Sequence, residues 1–244
     1  MKDKIIGNKI IHLESIPSTN LYARQILKDK VPEGTIVIAD IQTKGRGRKD
    51  RSWSSPKGGL WFSFILYPNI APEQGMLLTM AASVSVAQAI EDLTKIKPVI
   101  KWPNDLLIDG KKVCGILTEN EVKNGHIVHS IVGIGINVNN DIDKDLKDIA
   151  VSIKQILNTD TSQHMLLNTI LYKLDINYNL ILSKDYDYIK KKWNSYANIL
   201  GKKIKVEEEK TIVGTVDNID IDGHLILDTA KGKIKIKTGD ITFL

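Results

Sequence analysis

The segment Val99–Val138, VIKWPNDLLIDGKKVCGILTENEVKNGHIVHSIVGIGINV, decides the fold. Short β-branched and aliphatic runs follow one another at Val99 to Lys101, Leu106 to Ile108, Lys112 to Asn120 and His126 to Asn137. Asp109-Gly110 and Asn124-Gly125 separate the later runs, and both dipeptides tolerate the positive φ that a two-residue hairpin requires. An antiparallel meander is therefore expected. In its last strand the period of two puts Val132, Ile134, Ile136 and Val138 on one face and Ile131, Gly133, Gly135 and Asn137 on the other. One face is core and the other is nearly bare. Glycine weakens a strand interior, so two on one face mark a bulge or a place where something approaches the backbone closely. Gly115 repeats the device between Val113 and Glu119. A flat ligand lying on this floor and a tightly packed aromatic side chain both fit the pattern.

Towards the N-terminus, Ile10 to Leu13 reads as a short strand. Ser18-Thr19-Asn20 offers caps to a helix whose Tyr22, Ala23, Ile26 and Leu27 recur at helical spacing. Thr35 to Ala39 and Leu60 to Tyr67 are strands, with a long polar loop from Gln42 to Gly59 between them, expected to be mobile when empty. Met76 to Lys95 is the longest helical pattern. Beyond the meander, helices are expected at Ser152 to Leu157 and from Thr161 to about Tyr196, the second broken near Ser183 to Asp187. After Leu200-Gly201 the chain turns to short Ile/Val/Lys strands with an Asp222-Gly223 turn, the texture of a small β-barrel or sandwich.

The 244 residues are 42% hydrophobic and 26% charged, which suits one large globular domain with a small appendage and excludes disordered or collagen-like chains. The one cysteine, Cys114, forms no internal disulfide and no thiolate zinc cluster, and suits a reducing compartment. The five histidines show no metal-ligand spacing, so no metal-ligating residue is expected. The N-terminus lacks an apolar signal core, and no apolar run approaches the ~20 residues that cross a bilayer. A cytoplasmic protein without membrane contact is expected.

The net charge of +5 is concentrated: Lys44 to Arg51 carries five basic residues and one acid. Here Gln42-Thr43-Lys44-Gly45-Arg46-Gly47-Arg48-Lys49-Asp50-Arg51-Ser52-Trp53 alternates glycines with arginines, so backbone amides and guanidinium forks can converge on one anion. Trp53 adds a flat face for a purine. The alternative is a solvated basic loop, or an Arg/Gly segment gripping nucleic acid. From Gly201 onward eight lysines meet eight acids, which gives no electrostatic footprint for nucleic acid. A second constellation is Lys101-Trp102-Pro103-Asn104-Asp105. Pro103 ends the Val99 strand and sets a cation, an amide and a carboxylate beside its end. A turn whose Asn104 and Asp105 bond only their own backbone would look the same.

Taken in order, STN at Ser18–Asn20, QTKGRGRKDRSW at Gln42–Trp53, KWPNDLLIDGKKVCGIL at Lys101–Leu117 and GIGINVN at Gly133–Asn139 resemble the motif series of the biotin protein ligases. The chain after Leu200 is similar to that family's SH3-like C-terminal domain. The resemblance implies an α+β fold: a mixed, largely antiparallel sheet with flanking helices, of the class II aminoacyl-tRNA-synthetase-like type, over residues 1–198. An SH3-like β-barrel over residues 199–244 follows. It also implies the chemistry. Biotin and ATP, with Mg²⁺, give biotinyl-5′-AMP, and biotin then passes to one lysine of a biotin carboxyl carrier domain. Ser18, Thr19, Asn20, Gln42, Gly45 and Arg46 match positions around the biotin rings. Arg48 matches the cation beside the adenylate phosphate, Trp53 the aromatic against adenine, and Lys101 the lysine that meets carboxylate and α-phosphate. Asn104, Lys112 and Asn137 match nucleotide or metal-side positions, Gly115, Gly133 and Gly135 form the floor, and Asp105 is the candidate base for transfer.

Two departures stand out. Lys49-Asp50 replaces an Arg-Gly pair of the family loop, and Asp tolerates left-handed backbone well enough to keep the turn. Regulatory members carry a helix-turn-helix domain ahead of the STN helix, whereas 17 residues precede Ser18, so neither DNA binding nor repressor activity is expected. Rival readings are a lipoate or octanoate ligase of the same fold class, and a nucleic-acid-binding module built on the Arg/Gly loop. Whether two copies pair as a homodimer is left open.

Overall fold

The computed structural model describes residues 4–207 and 211–244. In chain order its elements are β1 (Ile10–Ile16), α1 (Thr19–Ile26), β2 (Ile36–Gln42), β3 (Leu60–Leu66), α2 (Gly75–Thr94), β4 (Val99–Lys101), β5 (Asp105–Ile108), β6 (Lys111–Lys123) and β7 (His126–Ile136). There follow α3 (Ile153–Leu157), α4 (Gln163–Leu182), α5 (Tyr186–Ala197), β8 (Lys203–Glu207), β9 (Thr211–Ile219), β10 (Leu225–Thr229), β11 (Gly232–Ile236) and β12 (Asp240–Phe243). The first seven strands form one sheet in the order β1-β2-β3-β7-β6-β5-β4, antiparallel except for the parallel β1–β2 edge. The last five form an antiparallel sheet in the order β11-β10-β9-β8-β12. The expected α+β class and meander are present, and the long final helix breaks at Ser183–Asp185 as its sequence suggests.

Strand alternation divides the large sheet into two unlike faces. Leu60, Phe62, Phe64 and Leu66 of β3, with Val132, Ile134 and Ile136 of β7, point into the main core under α2, α4 and α5. Ile65 and Ile131 point the other way, into a smaller cluster under α1 with Ala23, Val31 and Val37. Beyond that cluster the second face thins out. Ser63 pairs with Gly133, which pairs with Leu117, and Trp61 pairs with Gly135, which pairs with Gly115. Side chains that would fill the layer are missing there, and the functional cleft lies over the gap.

Helix α2 is held by burial on all sides. Fourteen of its twenty residues are buried, including Leu77, Leu78, Met80, Val84, Val86 and Ile90. Burial of each large side chain contributes about 1.5–3 kcal/mol, which outweighs the few tenths that Val or Ser concede in helix propensity. Ser83 and Ser85 satisfy their hydroxyls on the carbonyls of Met80 and Ala81. The C-terminal sheet joins this same core through Ile204, Val206, Leu225, Leu227 and Ile241. Its Asp222-Gly223 turn abuts α2, where a Cβ on Gly223 would meet Met80 Sδ at 2.6 Å. The appendage is therefore docked on the larger domain.

Next to that turn, His224 is buried, with Asp220 and Asp222 beside it. Lys235 already supplies the cation for these carboxylates, its Nζ lying 2.5 Å from Asp220 and 3.4 Å from Asp222. Burial lowers the His224 pKa from 6.5, against the opposing pull of Asp220. The folded protein favours the neutral ring, so this stabilisation is complete above the unfolded pKa and is lost as pH falls through the depressed folded one. Thermal melts from pH 7.5 to 5 are expected to fall less steeply in His224→Gln than in the native chain; equal slopes would place the titration elsewhere.

Candidate active site

Alternation on β3, β6 and β7 leaves Gly115, Gly133 and Gly135 as the floor of a cleft. One wall is the start of α1. The sequence suggests side-chain caps there, but Ser18 makes no capping bond. Its neighbours turn inward. Thr19 donates its amide to Gln42 Oε1 at 2.8 Å, Asn20 donates to Glu119 Oε2 at 2.7 Å, and Ser63 donates to Asn20 Oδ1 at 2.6 Å. Glu119 also receives Arg24 at 2.8 Å and Arg46 at 3.2 Å. The result is a buried polar pocket of fixed geometry, with hydroxyl and amide groups suited to a compact polar ring.

The basic loop forms the second wall, and it is folded on itself. Isolated bridges join Gln42 to Ser55 and Arg46 to Ser52, and the tip is closed by Gly47 N–H to Arg51 O at 2.7 Å. Lys49 and Asp50 adopt φ of 53° and 57°, the left-handed backbone that the departure from Arg-Gly had to accommodate. Arg48 donates to Asn104 Oδ1 at 3.0 Å and Thr238 Oγ1 at 2.9 Å. Both acceptors are neutral, and burial lowers its pKa, partly countered by the charges of Asp240 and Asp105. A guanidinium always ionised in proteins, desolvated and bonded only to neutral groups, is an anion receptor.

Trp53 occupies the floor. A Cβ on Gly115 would lie 2.8 Å from its ring and one on Gly135 2.5 Å from its Nε1, while Gly133 is covered by the Asn20 side chain. Of the two readings of the glycine pattern, close packing of an aromatic side chain is thus realised, and Gly115 faces Gly135 across β6–β7 to make room for it. The indole Nε1 has no partner among the described residues. Trp61 meets the ring edge-on at 6.5 Å, and Lys112 Nζ stands 5.8 Å from its centroid. Lys112 also pairs with Asp105 at 2.7 Å.

Most of the residues singled out in the sequence converge on this cleft. Ser18, Thr19, Asn20, Gln42, Arg46, Arg48, Trp53, Asn104, Asp105, Lys112 and the three floor glycines all line it. Three do not. Lys101 is on β4, the edge strand, in register with Asp105 and so on the same face of the sheet, but it is outside the residues that line the cleft, whereas Lys112 lines it. Gly45 is buried under the loop, its missing Cβ leaving room for the Trp53 carbonyl and Ser55 Oγ. Asn137 is buried behind the floor and accepts from Asn140 Nδ2 at 3.2 Å. Arg51, Ser52, Ile116, Leu117, Ile134 and Asp240 line the cleft without having been singled out. Arg51 was legible as a loop cation; Asp240 comes from the C-terminal sheet and carries no local signal.

The site thus combines a polar pocket and an anion-receiving loop on a mixed sheet, with a β-module docked beside it. The family model for the biotin/lipoate A/B protein ligase family matches residues 12–137, and that for the biotin protein ligase C terminal domain matches residues 199–244. The bifunctional ligase/repressor of Bacillus subtilis is 39% identical over 246 residues, covering 99% of this chain and 76% of that protein. The biotin–[acetyl-CoA-carboxylase] ligase of Mycobacterium tuberculosis is 28% identical, covering 87% and 80% respectively. The biotin protein ligase of Aquifex aeolicus in complex with biotin and ATP superposes with a TM-score of 0.82 at 33% identity, covering 97% of this chain and 99% of that one. The chain belongs to the biotin/lipoate A/B protein ligase family and is an enzyme of its biotin protein ligase branch.

The glycine floor has an optical consequence. The other three tryptophans, Trp61, Trp102 and Trp193, are 0–1% exposed. Gly135→Ala must push the Trp53 indole off the floor, so its emission is expected to shift to longer wavelength, and Trp53→Phe should abolish that difference. An unshifted spectrum in Gly135→Ala would show that the ring does not rest there.

Proposed function

We propose that the cleft condenses biotin with ATP to biotinyl-5′-AMP and pyrophosphate, and then passes biotin to one lysine of a biotin carboxyl carrier domain. The observation that carries this reading is the meeting of Lys112 and Arg48, two cations of the cleft, with a buried polar pocket at one end and a tryptophan face at the other. Biotin's ureido ring would lie among Thr19, Asn20, Gln42 and Ser63, and its carboxylate would point to Lys112. In the first step a carboxylate oxygen attacks the α-phosphorus and the bond to pyrophosphate breaks. Lys112 and Arg48 offset the charge that gathers on the phosphoryl oxygens, and electrostatic preorganisation supplies the rate. In the second step the carrier amine attacks the acyl carbon and AMP leaves.

That amine must lose a proton. With a solution pKa near ~10.4, only about one lysine in a few thousand is neutral at pH 7. Asp105 lines the cleft beside Lys112, and in this reading it takes the proton once the adenylate has engaged Lys112. Mg²⁺ has no ready cage here. Asp105 and Asp240, the carboxylates lining the cleft, are each paired with a cation, so the ion fits as the counter-ion that ATP brings rather than as a resident of the protein.

The relative from Aquifex aeolicus holding biotin and ATP supports the choice of substrates, and the C-terminal match to biotin protein ligases favours biotin over lipoate. Against a nucleic-acid role, Arg46, Lys49 and Arg51 are all turned onto carboxylates of the same chain. The test is incubation with biotin, ATP, Mg²⁺ and an apo carrier domain, followed by intact mass. A biotinyl mass shift that lipoate does not replace is expected, and none under conditions where an established ligase works would overturn the reading. Within it, Lys112→Ala is expected to lower biotin-dependent pyrophosphate release by about 10²-fold or more, whereas Lys101→Ala stays within about threefold. The reverse order would return the role to Lys101.

A further inference from the structure

The tip of the basic loop is tied to a part of the chain about 190 residues away. Arg51 Nη2 lies 2.6 Å and Lys49 Nζ 3.4 Å from one oxygen of Asp240, and Arg48 Nη2 donates to Thr238 Oγ1 at 2.9 Å. Thr238 and Asp240 flank Gly239 at the start of β12, and β12 is an edge strand paired to β8. That sheet is not loosely tethered, since Ile204, Val206 and Ile241 from β8 and β12 belong to the main core. The loop, by contrast, has one polar hairpin of its own. Its cations need a fixed external reference to converge on an anion, and the acceptors on β12 are the ones outside the catalytic sheet.

The contacts divide the work. Thr238 is neutral, so it fixes one arm of the Arg48 fork without neutralising its charge. Asp240 takes the two flanking cations, which keeps Lys49 and Arg51 from crowding Arg48 by like-charge repulsion. We propose that Thr238 and Asp240 are positioning residues for nucleotide capture: the C-terminal module aims Arg48 through Thr238 and braces the loop tip through Asp240. The inference rests on the ligase reading and deepens it, naming the two residues through which the loop tip is held. Neither residue touches the reacting atoms. The ion pairs are partly exposed, with side-chain exposures of 36% for Asp240 and 64% for Arg51, so their effect lies in geometry and falls with added salt.

The test uses the full chain. Biotin-dependent exchange of pyrophosphate into ATP is measured against ATP and against biotin, and binding of a non-hydrolysable ATP analogue is read by calorimetry. Asp240→Asn is expected to raise KM for ATP and the calorimetric Kd about tenfold, leaving KM for biotin within twofold, and Asp240→Glu should restore most of the loss. Thr238→Val is expected to shorten the lifetime of bound adenylate severalfold, and Thr238→Ser to preserve it. ATP affinity and adenylate lifetime within twofold of the native chain in both Asp240→Asn and Thr238→Val would overturn the proposal. So would a drop in kcat and both KM values that follows loss of melting temperature and is not rescued by Asp240→Glu. If the native chain exchanges no pyrophosphate, the biotin reading falls, and the calorimetric contrast still decides: equal or absent ATP binding in native chain and variant overturns the bracing role.

Discussion

Gly115 faces Gly135 directly across the β6–β7 pair, and the rest of the site depends on that register. A side chain at either position would enter the Trp53 ring. Slipping the strands by one residue would send every core side chain to the wrong face, so the hydrophobic core enforces the register and the register makes the floor. The chemistry-bearing residues are arranged around this vacancy. Ser63 and Gly133 form the next row, with Asn20 lying over them, and Glu119 ends the row after that. The main core lies on the opposite face, where α2, α4 and α5 cover it, and it spares the cleft any need to bury apolar surface.

Charge is managed with similar economy. The basic loop that dominates the net charge does not stand free in solvent. Arg46 is held by Glu119, and Lys49 and Arg51 by Asp240, while Arg48 is left with neutral acceptors. Neutralising the outer charges and sparing the central one turns a diffuse basic patch into a directed receptor. Lys112 is treated differently, with Asp105 as its partner at 2.7 Å.

The fold was legible wherever local signals agreed. Hairpin dipeptides bounded β5 to β7 to within three residues, the long apolar helix was readable from composition, and the break before α5 fell among Ser183-Lys184-Asp185. The alternation of apolar and glycine positions in β7 located the floor. What lies on that floor was not legible, because an aromatic side chain and a flat ligand ask the same of the backbone. Nor was the choice between Lys101 and Lys112. Both sit beside strand ends in one motif, and both come to Asp105, Lys101 in register with it and Lys112 in an ion pair with it. Thr238 and Asp240 were beyond reach for a different reason: their partners are set by how two sheets dock, and no periodicity in either segment reports it.

The most direct test of this account is a crystal structure with a non-hydrolysable biotinyl-adenylate analogue bound. It should show the acyl end beside Lys112 Nζ, the ring system among Asn20, Gln42 and Ser63, the phosphate mimic within reach of Arg48, and Asp105 released from its ion pair. An analogue bound elsewhere, or one bound here with Lys112 still on Asp105 and Lys101 turned to the acyl phosphate, would contradict it.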